Sequence, residues 1–480
     1  MNTDAQGVQG LPRYAGLTTD EIGRLHDASL VVLSEVGVRI HDDEALSLLR
    51  KAGAHASHEN IVRIPSGLVE WALKTAPKTV TIYGRDGLPA MELGGYRCYF
   101  GVGSDCMYIY DLHTGHRREA ILEDVRLGVR LVDALPNLDF AMSMFMPSDV
   151  AIASHEARQM AMMLQETTKP IIYVGEGLAS TESAVKMASV VAGGLEQLVR
   201  HPFIVNYVNA KSPLSHNQES LQRLLYCAER NLPSIYAPAN ARGTTAPMTA
   251  EGAVITANAG QLTGLVLSQL KREGAPFIRK DPGSNAMDMR TMVMLYASPD
   301  GGRFGWDLAH HHGLPIFGTG GCSDAKVFDA QAAAEATLTL FASVLGGANL
   351  IHDIGYLDCA MTGSLELVAF CDEIIGWMKR YFRPPILDDE NLTLETIKEV
   401  GLEDDYLGSK HTLHHLRDSW KPGLFDRFDH RRWAEQGSMT LLERANRKVM
   451  EVLAGHVPPR LPQSTVRSLD RILLGDSPSQ

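Results

Sequence analysis

Two apolar runs end in polar groups within "LPIFGTGGCSDAKVFDAQAAAEATLTLFASVLGGANLIHDIGY", residues 314–356. The first breaks into glycines and presents Cys322, Asp324 and Lys326; the second carries His352 and Asp353 at its tip. Three chemistries are open to such a set. Zinc could be drawn from His310, His311, His312, Cys322, His352 and Cys359, but no HxH, HExxH or CxxC spacing anchors it. Adjacent histidines also cannot all face one ion. An anion could rest on the glycine N–H groups of "GTGGCSDAK", yet the run is not GxxxxGK[ST], and a strand end needs glycine for its own turn. Cys322 could act as a nucleophile with His352 as base if folding joined them; a buried cysteine would be inert packing.

What must position these groups is a unit that recurs along the chain: a short apolar run, a polar or glycine-rich break, then a helical stretch. The strand candidates are "YRCYFGVG" (96–103), "LDFAMSMF" (138–145), "PIIYVG" (170–175), "PFIVNYV" (202–208), "PSIYAP" (233–238), "PFIR" (276–279), "LPIFGT" (314–319) and "NLIHD" (349–353). Several begin directly after proline, which suits a strand's start better than its middle. Helical spacing marks "SHEARQMAMMLQETT", "ESLQRLLYCAERN", "EGAVITANAGQLTGLVLSQLKREG" and "AQAAAEATLTLFASVLGG" between them. Eight strands alternating with helices over some 260 residues predict an α/β fold, a (β/α)8 TIM barrel. A doubly wound open sheet is the alternative; "GVGSDC" does not supply its GxGxxG turn.

The flanks read as helices. "TTDEIGRLHDASLVVLSEVG" and "DDEALSLLRKAGA" start at the caps Thr18 or Thr19 and Asp42. "ELVAFCDEIIGWMKRYFRPP" stops at Pro384–Pro385, and a charged helical region follows. The expected organisation is an N-terminal helical cap region (1–95), the barrel as catalytic domain (96–383) and a C-terminal helical extension and tail (384–480).

At 480 residues, 45% hydrophobic and 21% charged, the chain suits a globular protein. No apolar run approaches the roughly 20 residues that cross a bilayer. The polar start lacks a secretory pattern, and six cysteines without framework spacing fit reduced thiols in a cytoplasm. The net charge of −12 argues against nucleic acid as partner.

Barrel enzymes draw their reacting groups from the C-terminal ends of strands. Here that filter collects Phe100, Ser104, Asp105 and Tyr108, then Met144 and Met146, then Tyr173 and Glu176. It adds Asn206, Tyr207 and Asn209, then Tyr236, Asn240 and Arg242, and finally Phe317, Thr319, Ser323, Asp324, His352, Asp353 and Tyr356. Such a ring, rich in aromatic faces with a few carboxylates, fits something partly apolar and cationic. Each aromatic face attracts a quaternary ammonium by roughly 0.5–2 kcal/mol.

The 314–358 stretch, with "HTLHHLRDSWKPGLFDR", "FGVGSDCMYIYDLHTGHRREAILEDV" and "PANARGTTAPMT", resembles the trimethylamine methyltransferase family from about residue 17 to Pro462. The resemblance implies a (β/α)8 barrel that moves a methyl group from a methylated amine to the cobalt of a corrinoid protein. Founding members carry pyrrolysine; this chain has only the standard twenty residues and so is similar to the non-pyrrolysine branch, which demethylates quaternary amines, glycine betaine chief among them. The chemistry agrees. A quaternary ammonium leaves as a neutral tertiary amine, whereas a neutral amine would have to leave as an amide anion. The protein then mainly positions one N-methyl group, and the corrinoid of a cognate partner supplies the reactive centre, with no protein-bound metal. On this reading Tyr108, Tyr173, Tyr207, Tyr236 and Phe317 surround the ammonium, and Asp324 or Glu176 balances its charge. Arg242, Asn209 and His352 hold a betaine carboxylate, with His352 and Asp324 as positioning residues. A homo-oligomer is expected. Alternatives are proline betaine or carnitine as substrate, a zinc-dependent methyltransferase with a thiol or folate acceptor, and a non-catalytic betaine-binding protein.

Overall fold

Proline has no N–H to give a sheet but keeps its carbonyl, and this chain uses that carbonyl at strand after strand. Pro170, Pro233, Pro276 and Pro315 accept from Ala141, Asn206, Ser234 and Arg279 at 2.9, 3.0, 3.3 and 3.0 Å. The structure, a computed structural model, describes residues 13–475 apart from 105, 284, 299–301, 303 and 403, so Asp105 lies outside it. Its central strands are β1 (Tyr99–Phe100), β2 (140–141), β3 (Ile171–Val174), β4 (Ile204–Ala210), β5 (Ser234–Pro238), β6 (Phe277–Lys280), β7 (Ile316–Thr319) and β8 (Leu350–His352). Seven form one sheet in the order β1–β8–β7–β6–β5–β4–β3, every pair parallel. The short β2 closes the ring through parallel bridges Gly101–Phe140 and Ala141–Ile171. Each strand overlaps one of the eight expected runs. A helix follows every strand, from Leu122–Ala134 after β1 to Leu365–Tyr381 after β8, completing a (β/α)8 barrel.

The N-terminal segment carries more than helices. Thr19–Val31 begins at a capping box in which Thr18 and Glu21 satisfy each other's backbone N–H. Asp42 caps Asp43–Lys51 by accepting from Ala45. Between and after these lie short strands: Val38–Ile40 pairs with Ile61–Arg63 and, across a long stretch of chain, with Ser215–His216. They are too short to announce themselves by alternation. A hairpin, Val80–Tyr83 with Pro89–Leu93, crosses the N-terminal ends of β3 and β4: Tyr83 N–H donates to Pro202 and Arg85 N–H to Thr168, at 2.9 and 2.8 Å. Val80, Ile82, Met91 and Leu93 thereby join the barrel core around Phe317 and Leu350, each large apolar side chain adding about 1.5–3 kcal/mol on burial. A second core lies outside the barrel, where Leu33, Ile40, Leu49 and Val69 pack on Leu262, Leu265 and Val266 of the helix Ala250–Lys271.

Beyond Leu365–Tyr381 the chain runs through short helices, none with a buried residue, until Leu441–Gly455 returns to the core through Ala445 and Val449. Among the described residues no helix is long and apolar enough to cross a membrane.

Candidate active site

Register decides what faces the barrel interior. Residues level with one another in a sheet share a face, and faces alternate along each strand. Tyr207 is level with Val174 and Ile235, and Phe317 with Lys280 and Leu350. These point inward. Tyr236 is level with Val208 and Arg279, and Tyr173 with Asn206. These point into the helix layer.

At the C-terminal ends of β4 to β7 the inward residues surround a cavity of about 260 Å³. Tyr207 and Asn209 come from β4, the 237–241 turn from β5, Lys280 and Asp281 from β6, and Thr319 from β7. Another wall is the crossing from β6 to the helix Gly305–His312, which contributes Met294, Tyr296, Ser298 and Trp306. Asp324 holds that crossing in place by accepting from the N–H groups of Tyr296 and Ala297 at 2.8 and 3.1 Å. Gly346 makes room for the Trp306 ring, since a Cβ there would fall 2.0 Å from it.

His352 stacks on Phe317 with ring centres 3.8 Å apart, and Tyr207 stands edge-on at 6.2 Å. Its Nδ1 is 2.7 Å from the Gly318 carbonyl, which can only accept, so Nδ1 carries a proton. Its Nε2 lies 3.2 Å from Asp353 Oδ2, which also accepts from the Tyr296 hydroxyl. Burial raises the Asp353 carboxyl to about 7, opposed by the Tyr296 hydrogen bond and the Lys280 charge. Burial and the Asp353 charge push the Tyr296 phenol well above its usual range. Asp353 holds a left-handed backbone, φ +72°, a strained state that sites of function tend to retain. A Cβ on Gly103 would meet its Oδ1 at 2.3 Å, so glycine there lets the carboxylate in.

Lys280 and Asp281 sit side by side on the wall, Nζ to Oδ2 3.5 Å. The other Asp281 oxygen accepts from Gly283 N–H at 2.9 Å and fixes the carboxylate.

Of the residues singled out from the sequence, Tyr207, Asn209, Asn240 and Thr319 line the cavity directly. Phe317 and His352 back Tyr207 and Thr319 from the core. The structure does not bring the rest there. Tyr236 is fully buried against His216, hydroxyl to Nδ1 2.6 Å. Tyr173 turns toward Cys227. Tyr108 lies under the Arg117 guanidinium at 3.6 Å, in the separate sheet with Arg117–Glu119. Glu176 is exposed and its N–H donates to Glu156. Arg242 is buried in the loop after β5, its backbone tied to Asn285. Asp324 binds backbone rather than the cavity. Lys326 pairs locally with Asp358 at 3.1 Å.

The opening alternatives also meet geometry. Gly320, Gly321, Ser323 and Asp324 donate their N–H groups to His352, Thr339, Tyr356 and Glu335, so these donors are spent within the protein rather than offered to an anion. Burial and the Asp353 and Asp324 charges push the Cys322 thiol well up, which removes the thiolate a nucleophile needs. His310 stacks on Tyr96 and His312 meets Arg279, so the zinc set is not assembled. Among the described residues, the group of His, Cys, Asp or Glu close enough to share an ion is Glu390, His414 and His415, on the C-terminal segment. Lys280, Asp281, Tyr296 and Trp306 were missed. The first two directly follow "PFIR" and obey the strand-end rule; the others lie on a connection with no periodic signal.

A closed (β/α)8 barrel with an aromatic, carboxylate-bearing cavity at its C-terminal mouth has the architecture of a barrel enzyme. The particular family follows from comparison. A model of the trimethylamine methyltransferase family matches residues 2–473, and the chain belongs to that family. It is 29% identical to a trimethylamine methyltransferase of Desulfitobacterium hafniense over 96% of this chain and 93% of that one. It is also 29% identical to a glycine betaine methyltransferase of Desulfitobacterium hafniense, covering 94% and 95%. The monomethylamine methyltransferase of Methanosarcina barkeri has a similar fold, with TM-score 0.52 and 11% identity over 94% of this chain and 90% of that one.

Proposed function

We propose that this chain removes a methyl group from a quaternary amine, glycine betaine first among them, and delivers it to the cobalt(I) of a corrinoid carried by a partner protein. The observation that carries the reading is the cavity itself: Tyr207, Tyr296 and Trp306 with Asp281 on its wall and Asp353 behind Tyr296. Aromatic faces and carboxylates favour a permanent cation, and none of these groups would attack it. Tyr207, Asn209, Phe317 and His352 act as binding and positioning residues. The corrinoid supplies the nucleophilic cobalt, and this chain need only hold the amine. The carbon–nitrogen bond breaks with its electron pair staying on nitrogen, and the amine departs neutral. Family membership and the betaine-specific relative support the same reading.

We take the enzyme to be a cytoplasmic homo-oligomer. Support for self-association comes from residues 386–416, none of which is buried where described, including the exposed Leu402, Leu407 and Leu413. The test mixes purified enzyme with a cobalt(I) corrinoid and a panel of quaternary amines. Loss of the cobalt(I) absorption with glycine betaine or a related betaine is expected. No loss with any quaternary amine, alongside loss with a different methyl donor, would refute the substrate class. Tight betaine binding with no transfer to any corrinoid would point to a binding protein instead.

A further inference from the structure

Two lysines elsewhere in this protein spend their donors on backbone carbonyls. Lys169 gives its ammonium group to three carbonyls, Val132, Leu135 and Leu138, each at 2.7 Å. Lys78 gives to Leu73 and His312 at 2.7 and 2.8 Å. Lys280 does not follow them. Its side chain is 28% exposed, and the one ion pair it makes among the described residues is with Asp281 at 3.5 Å, beyond the 2.7–2.9 Å of a strong charged hydrogen bond, although its charge also bears on Asp353. Among the described residues lining the cavity it is the one basic side chain. A cation left under-bonded on the wall of a cavity otherwise suited to ammonium would repel a simple tetraalkylammonium. It is complementary to a molecule that carries its own anion.

Resting on the function proposed above, we infer that Lys280 and Asp281 form a dipolar subsite. Lys280 receives a carboxylate while Asp281 and the aromatic wall face the quaternary nitrogen a few bonds away. The substrates are then zwitterions, and a quaternary amine with a hydroxyl in place of the carboxylate is discriminated against. The Gly283 N–H pins one oxygen of Asp281, which leaves the other 3.5 Å from the Lys280 ammonium and holds the two charges side by side. Asn209 and Asn285 on the same wall can share the carboxylate.

The test uses the full chain and two readouts. Calorimetry without any corrinoid compares glycine betaine with choline, and cobalt(I) consumption gives kcat/KM for each. The wild type is expected to prefer betaine at least 50-fold in both. Lys280→Met should cut that preference to below 5-fold, and Lys280→Arg should keep most of it. Tyr236→Phe, in the helix layer, serves as a control that leaves the preference unmoved. A preference unchanged in Lys280→Met, or a wild type that takes choline as readily as betaine, overturns the subsite while the quaternary-amine reading stands. A wild type that consumes cobalt(I) with no quaternary amine overturns both.

Discussion

Arg279 and Lys280 are consecutive on β6 and face opposite sides of the barrel wall. Arg279 is fully buried in the helix layer, where its guanidinium donates to Gln261 at 2.7 and 3.1 Å, to Asn258 at 3.0 Å and to His312 Nδ1. Because a guanidinium only donates, His312 Nδ1 is the acceptor and Nε2 carries the proton. That proton goes to His26 Nδ1 at 3.0 Å, and His26 Nε2 then donates to Glu70 at 2.8 Å. Among the described residues no carboxylate touches the charge. Burial brings the guanidinium down to about 9. Lys280, one residue on, has one long ion pair among the described residues and faces the cavity. Of two adjacent cations, one is satisfied by folding and the other awaits an incoming molecule. Where a buried charge finds its partners separates scaffold from site more sharply than its residue type does.

The sharpest way to break this contrast is Arg279→Leu. It strands the acceptors of Gln261, Asn258 and His312 without donors, and should cost about 3–5 kcal/mol, read as a lowered denaturant midpoint. Lys280→Met should leave that midpoint within about 1 kcal/mol of wild type. Equal losses in the two variants would erase the distinction.

Asp353 gives the next effect. Its carboxyl is raised to about 7 in the folded protein, so between the ordinary carboxylate range and pH 7 the unfolded chain releases a proton that the folded one keeps. Stability therefore falls as pH rises through that window, by an amount on the order of a few kcal/mol from this group, and levels off above it. Asp353→Asn should flatten the slope between about pH 4 and 7 in urea unfolding. An unaltered slope would show that Asp353 titrates normally.

Asp324→Ala frees the N–H groups of Tyr296 and Ala297 and should loosen the cavity wall. The expected result is a several-fold rise in KM for betaine with about 1–2 kcal/mol lost in stability. The smallest effect belongs to Tyr236→Phe. It loses a buried hydrogen bond worth about 1 kcal/mol and leaves betaine affinity alone, whereas Tyr207→Ala should weaken affinity. Reversal of that pair would mean the inward and outward faces are misassigned.

The barrel was legible in the chain because its strands are short apolar runs punctuated by proline and separated by helical spacing, signals that survive without tertiary information. The site was legible only in part. Tyr207 and Tyr236 each stand near the end of a proline-led apolar run, and a single step of parity sends one inward and the other into the helices. That parity is set by register with neighbouring strands, which no local pattern reveals. Lys280 and Asp281 were within reach of the strand-end rule at the sixth strand. Tyr296 was not, because the crossing that carries it is held by Asp324 and Asp353, partners far along the chain, and neither was Trp306, at the start of the short helix that follows. The short strands at 38–40 and 61–63 escaped for a related reason: three residues cannot display a period.

The link from His26 to His312 joins residues 286 positions apart, and the Gly16 and Leu17 N–H groups reach the Asp307 carboxylate across 291 and 290. On a ribosome, the first helix would emerge long before the helix that anchors it, and β1 must likewise wait for β8. The nascent chain therefore carries an unpartnered apolar arm through most of its synthesis. Its yield in a cell should depend on chaperone supply and growth temperature more than on the durability of the finished barrel.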